Sequence, residues 1–109
     1  MKAIRVFEYG EPEVMRVETV PPLSAGPRQI LVAVKAAGVN PVDTYIRAGW
    51  HSIRMPLPYT PGLDAAGTIL QTGQGCDDFQ VGERVFVSGS LSGTYAEQVL
   101  CLPQHLYRL

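Results

Sequence analysis

Hydrophobic and polar residues alternate along several short segments of this chain, with the period of two that half-buried β-strands show. Residues 2–9 and 14–20 alternate in this way, and the turn from Gly10 to Pro12 between them favours a hairpin. Residues 29–39 are rich in Ile, Leu, Val and Ala instead, which indicates a well-buried strand. Further strands are predicted at residues 63–72, 81–88 (after an initial turn) and 93–102.

One short helix is predicted between the third and fourth of these strands. Asn40 suits the N-cap, Pro41 suits the first helical position, and Asp43 puts negative charge in the first turn, where it favours the helix dipole. The helix is expected to end near Gly49. Three prolines within residues 50–62 then predict an extended, rather stiff loop.

Length and composition bound the fold class. The chain has 109 residues, which is enough for one domain and too few for two hydrophobic cores. Many short strands, nine prolines, eleven glycines and one short helix predict a mostly antiparallel β-barrel or sandwich. Hydrophobic residues make up 46% and charged residues 17%, which suits a globular domain and argues against disorder.

The charge balance and the hydropathy of the chain exclude some classes of binding partner. Nine basic and ten acidic residues are interspersed and give a net charge of −1, so neither nucleic acid nor an anionic membrane is expected as a partner. No apolar run approaches the roughly 18 residues of a membrane helix, and residues 1–10 lack a signal-peptide pattern. We therefore expect a cytoplasmic protein. Its two cysteines, Cys76 in a loop and Cys101 on a strand, are expected to be free thiols.

Several motifs resemble a known family in their order and spacing. The motifs are residues 5–10 (RVFEYG), 12–14 (PEV), 38–47 (GVNPVDTYIR), 58–62 (PYTPG), 64–67 (DAAG), 82–85 (GERV) and 93–97 (GTYAE). Together they resemble the N-terminal catalytic domain of medium-chain dehydrogenase/reductases, and among these the zinc-free quinone oxidoreductases related to zeta-crystallin.

The resemblance implies a GroES-like, partly open β-barrel with one or two short helices over residues 1–109. In the family, a Rossmann domain follows this barrel and holds the pyrophosphate of the dinucleotide on a Gly-rich loop. Residues 73–75 (GQG) do not extend into a G-x-G-x-x-G motif, so we expect a fragment without its cofactor domain. The whole enzyme is expected to carry a hydride from NADPH to a quinone or another electron-poor acceptor. The resemblance leaves a homo-oligomeric state open.

The same resemblance predicts that catalytic zinc is absent. Zinc members carry a cysteine where this chain has Asn40, and a His-Glu pair where it has Leu63 and Asp64. A catalytic zinc needs three converging protein ligands. The remaining soft donors are scattered without paired spacing at Cys76, Cys101, His51 and His105.

The helix start is the predicted cofactor contact. By resemblance, it lines the cleft beside the nicotinamide, and its five candidate residues are Asn40, Pro41, Val42, Asp43 and Tyr45. A helix N-terminus offers free backbone N–H groups, and an asparagine amide can both donate and accept. The residues alone also allow a structural interpretation, in which Asn40 only caps the helix and Tyr45 belongs to the core.

The proline-rich loop is the predicted substrate contact. Trp50, His51 and Tyr59 flank it, and aromatic side chains beside a cleft can stack on a flat quinone ring. Leu63 completes this predicted pocket, while packing of the loop remains an alternative role for all of them. His51 stands where related enzymes often carry a tyrosine. Asp64 is either a proton donor or, as we favour, a polar residue at a strand edge.

Two other functions remain open at this point. The cleft would serve equally for reduction of an enone or enoyl thioester. The barrel could instead be a stand-alone binding or assembly module, which only the fold analogy supports. No single residue is predicted to be catalytic, because hydride transfer from a nicotinamide is the chemistry of the cofactor.

Overall fold

Seven antiparallel strands and one α-helix make up the structure, a computed structural model that describes residues 1–109. Two single 3-10 turns, at Pro12–Val14 and Pro103–His105, precede the second and the last strand. The elements are β1 (Lys2–Val6), β2 (Met15–Thr19), β3 (Ile30–Ala37), α1 (Pro41–Ala48), β4 (Asp64–Thr72), β5 (Arg84–Ser88), β6 (Gln98–Cys101) and β7 (Leu106–Arg108).

The strands form two sheets that do not close on each other. β1 and β2 pair as the predicted hairpin, with Lys2 opposite Thr19, and the other five strands follow the order β6-β3-β4-β5-β7. An isolated bridge from Val6 to Tyr59 joins β1 to the loop after α1. The predicted mostly β, partly open barrel with a short helix is therefore confirmed.

The core lies on one face of the five-stranded sheet, because buried and more exposed residues alternate along its strands. Every second residue of β5 is buried, and β4 follows the same rule from Ala65 to Ile69. Gly67 permits the close contact of β3 and β4, because a Cβ there would lie 1.9 Å from the carbonyl oxygen of Ala33. The core cluster is Ile30, Val32, Ala65, Ile69, Cys76, Val85, Val87, Val99, Cys101 and Leu106.

Two predicted strand boundaries and one burial prediction were wrong, and one strand was missed. The strand predicted at 93–102 is only β6, because backbone groups of Tyr95 bond Ile4 and Pro61 instead of one neighbouring strand. The first strand ends at Val6, and residues 35–37 of the third are exposed instead of buried. β7 was missed, since three residues are too few to show a period. No helix in the structure combines the length and the apolarity needed to span a bilayer.

Both cysteines are buried free thiols, as predicted. Cys101 is fully buried in the core cluster, and this desolvation raises the pKa of its thiol to about 12 from a usual value of 9.0. At a pH between 9.0 and about 12, the Cys101 thiol is deprotonated in the unfolded chain but still protonated in the folded chain. The contribution of this thiol to the free energy of unfolding is therefore complete below pH 9.0 and is lost as the pH rises toward 12.

We therefore predict a steeper alkaline loss of stability in the parent chain than in Cys101→Ala. The measurement is urea unfolding of both proteins at several pH values from 8 to about 11, a window that spans the ordinary thiol pKa. Equal slopes for the two proteins would contradict the assignment of this titration to Cys101.

Candidate functional site

The start of α1 forms one side of the candidate site. Asn40 takes the extended N-cap conformation and Pro41 is the first helical residue, while Gly49 ends the helix with a left-handed φ of 81°. The backbone carbonyl of Asn40 accepts the N–H of Asp43 at 2.9 Å. The predicted helix bounds are therefore confirmed, and they follow from local cap chemistry.

The side chain of Asn40 reaches β4. Its amide nitrogen donates to Oδ2 of Asp64, the first residue of β4, at 2.8 Å. The backbone N–H of Asn40 instead donates to Oδ2 of Asp43 at 2.9 Å. Asp64 thus has a structural hydrogen bond at the start of β4, and whether it also donates a proton stays a prediction. The two carboxylates hold the helix start through Asn40.

Asp43 is a buried carboxylate, with 5% of its surface exposed. A second donor reaches the same oxygen, because the hydroxyl of Tyr95 donates to Oδ2 at 2.9 Å. Burying a charge without partners is costly, so these two bonds make the position tenable. Burial, followed by the hydrogen bond to Asp43, raises the pKa of Tyr95 to about 12, which keeps this hydroxyl a donor at neutral pH.

A cavity of about 120 Å³ opens beside Asp43. Asp43 is its sole charged lining residue, and the sequence-predicted Tyr59 and Leu63 also line it. An engineered cavity of roughly 150 Å³ admits benzene, so this space matches about one flat ring. The other lining residues are Ile46, Met55, Thr60, Pro61, Gly62, Ser90, Leu91 and Gly93.

Tyr59 lines this cavity and carries a buried hydroxyl that makes no hydrogen bond. The residue is 7% exposed, and its hydroxyl is buried without a hydrogen-bond partner. Burial, then the nearby Tyr9, raises the pKa of Tyr59, so its hydroxyl stays protonated at neutral pH. A buried unpaired polar group costs stability, and a ligand oxygen that reached this hydroxyl would remove that cost.

The other predicted site residues lie around this cavity without lining it. Pro41 and Val42 form the first helical turn with Asn40. Tyr45 and Trp50 stack on each other with ring centroids 6.5 Å apart, and both are exposed, so the alternative that Tyr45 belongs to the core is wrong. His51 is half-buried, and its Nδ1 accepts the N–H of Ile53 at 3.1 Å.

Metal donors do not converge at this site. No group of three His, Cys, Asp or Glu side chains is placed to hold an ion. Cys76 and Cys101 lie in the core cluster, and Nδ1 of His105 accepts the N–H of Leu102 at 3.0 Å.

Sequence reasoning missed the crossing of two loops that forms the far wall of the cavity. Gly62 and Gly93 both have positive φ, and Ser90 joins them, since its Oγ accepts the N–H of Gly93 and donates to the carbonyl of Gly62. The one sequence signal was Gly93 between Ser92 and Thr94, which also suits an ordinary turn.

The chain was compared with protein families, curated proteins and solved structures. Residues 26–109 match the model of the alcohol dehydrogenase GroES-like domain. The chain is 48% identical to a quinone oxidoreductase of Sus scrofa and 46% identical to one of Homo sapiens, in each case over all of this chain and 33% of the relative. The structure of an Escherichia coli quinone oxidoreductase complexed with NADPH superposes with a TM-score of 0.94 at 30% identity, over all of this chain and 33% of that one.

The chain therefore spans about a third of the length of the curated relatives it matches. The family match itself covers most of the chain and agrees with the two open sheets described above. This protein belongs to the family of alcohol dehydrogenase GroES-like domains.

Proposed function

We propose that this chain is the catalytic-domain part of a zinc-free quinone oxidoreductase that uses NADPH. The observation that carries the proposal is the ring-sized cavity next to a helix start that Asp43 fixes, with Tyr59, whose hydroxyl is unpartnered, among the lining residues. The quinone oxidoreductases that match the whole chain support the same activity. In this proposal a Rossmann cofactor domain follows residues 1–109 in the full-length, cytoplasmic enzyme.

The residues fit the nicotinamide end of the cofactor. With one carboxylate and no cation, the cavity lining suits an uncharged ring and not a phosphate group. Asn40, Pro41, Val42, Asp43 and Tyr45 are the residues that would line the nicotinamide side. The E. coli relative whose structure contains NADPH supports this choice of cofactor.

NADPH, when bound, supplies a hydride that a quinone takes up together with one proton to become a hydroquinone. The Tyr59 hydroxyl would donate a hydrogen bond to the acceptor oxygen, on which negative charge grows. The Asp43 carboxylate would favour a ring that gains positive charge and would disfavour an anionic substrate. Leu63 and Leu91 would exclude water from the ring.

The substrate pocket in this proposal extends beyond the cavity to the aromatic loop. Trp50 is 75% exposed beside α1, so its ring is free to cover a flat acceptor. His51 lies next to it and is half-buried. The zinc-free part of the proposal rests on donor chemistry, because Asn40 uses its amide nitrogen to bond Asp64 and Leu63 has no ligand atom.

Turnover by the full-length protein tests the proposal. We expect NADPH oxidation with a small para-quinone, with kcat/KM at least about tenfold above that for cyclohexenone, and unchanged activity after treatment with a chelator. A preference for the enone would favour the enone reductase instead. Loss of activity with the chelator would contradict a zinc-free site, and inactivity with both acceptors would overturn the reductase assignment.

A further inference from the structure

A second cavity shares two lining residues, Asp43 and Pro61, with the first. It measures about 140 Å³, and Tyr95 lines it together with Thr44 and Arg47. Tyr95 does not line the first cavity, so its side chain reaches Asp43 without lining the space where a ring would bind. The hydrogen bond that its hydroxyl makes toward the site goes to the Asp43 carboxylate.

We infer that Tyr95 is a positioning residue, whose hydroxyl holds the Asp43 carboxylate and through it the N-terminus of α1 against the nicotinamide cleft. This inference rests on the proposed function for the identity of the ligand.

The backbone of Tyr95 is itself anchored from two directions. Its N–H donates to the carbonyl of Pro61 at 3.0 Å, and its carbonyl accepts the N–H of Ile4 at 2.8 Å. The backbone that carries the Tyr95 ring is thus bonded to the cavity wall at Pro61 and to strand β1 at Ile4. Because its backbone is fixed in this way, the Tyr95 hydroxyl can determine the position of the Asp43 carboxylate.

The start of α1 depends on this carboxylate. Oδ2 of Asp43 receives both the Tyr95 hydroxyl and the backbone N–H of Asn40, each at 2.9 Å. On the other side, Asn40 donates to Asp64. The far end of α1 is held separately, because the N–H of Gly10 donates to the carbonyl of Arg47 at 2.9 Å. Loss of the Tyr95 hydroxyl would therefore release mainly the end that faces the cofactor.

The test compares Tyr95→Phe with the parent in the full-length protein. Tyr95→Phe keeps the ring and removes only the hydroxyl. We expect the Kd and the KM for NADPH to rise about tenfold, the scale of one hydrogen bond to a charged group, while kcat stays within about twofold. NADPH fluorescence gives the Kd without turnover. Amide hydrogen exchange at Asn40 is expected to accelerate about tenfold, with the amide of Ile69 in the core unchanged.

Two control variants separate positioning from stability. Tyr107→Phe removes a hydroxyl from a half-exposed ring that stacks on Phe86, and it is expected to change neither constant. Val99→Ala destabilises the core away from the site, since Val99 is fully buried. If Val99→Ala weakened NADPH binding as much as Tyr95→Phe, the effect would come from lost stability and the inference would be overturned.

Failure of this inference differs from failure of the proposed function. A parent protein that binds NADPH, with Tyr95→Phe binding it equally well, overturns the positioning role alone. A parent protein that binds no NADPH overturns the proposed function. In that case the exchange rate of the Asn40 amide still decides whether the Tyr95 hydroxyl holds the start of α1.

Discussion

Gly93→Ala is expected to lower the free energy of unfolding of this chain by more than about 4 kcal/mol, a loss that single substitutions seldom cause. A Cβ at Gly93 would lie 2.0 Å from the carbonyl oxygen of Thr60, where the two loops of the cavity wall cross. Both backbones are held at this point, since Tyr95 next to the crossing bonds Pro61. Neither loop can move aside without breaking such bonds.

Gly82→Ala is the matched control. Gly82 has a φ of 93°, close to the 92° of Gly93, but a Cβ there meets nothing within 4 Å. The control therefore carries only the cost of a left-handed backbone, roughly 1–2 kcal/mol. Urea unfolding of the two variants and the parent measures the difference. Similar losses for both would show that the loop crossing is not tight.

Tyr59→Phe is expected to make the protein more stable and the enzyme slower. The free protein no longer buries an unpaired hydroxyl, so its free energy of unfolding is expected to rise by about 1 kcal/mol. In the full-length enzyme, kcat/KM for a quinone is expected to fall about tenfold, because the acceptor oxygen loses its donor. A gain in the free energy of unfolding together with a loss of kcat/KM would identify the Tyr59 hydroxyl as a group that binds the substrate.

Tyr9→Phe makes the same chemical change at a tyrosine whose hydroxyl is satisfied. That hydroxyl donates to the carbonyl of Met55 at 2.6 Å, so its loss is expected to destabilise the protein by about 1 kcal/mol. Urea unfolding and quinone turnover are measured on both variants. If Tyr59→Phe lost stability like Tyr9→Phe, or turned over quinone at the parent rate, Tyr59 would be an ordinary packing residue.

Local chemistry explains why the helix and its cap could be predicted. Asn40, Pro41 and Gly49 each favour one position of a helix end whatever surrounds them. The burial of Asp43 could not be predicted in this way, because its partner Tyr95 lies 52 residues further along the chain. A carboxylate in a first helical turn is usually solvated, and only the tertiary fold brings a phenol to it.

The substrate side of the site was predicted less completely for a similar reason. The aromatic content of the loop pointed to Tyr59, which the fold places in the cavity wall, while Trp50 and His51 fall outside that wall. The wall opposite comes from Ser90 to Gly93, a segment predicted to lead into an extended strand. Its path depends on bonds to residues that are far away in sequence, since Ser90 donates to the carbonyl of Gly62, and Thr94 and Tyr95 just after it donate to the carbonyls of Gly62 and Pro61.

The position of the nicotinamide tests the central claim most directly. A crystal structure of the full-length protein with NADPH is predicted to show the nicotinamide ring in van der Waals contact, within about 4 Å, with residues between Asn40 and Tyr45. It is also predicted to show the ring facing the cavity of Asp43 and Tyr59. A ring bound away from the start of α1, with this cavity left to solvent or filled by protein, would contradict the account.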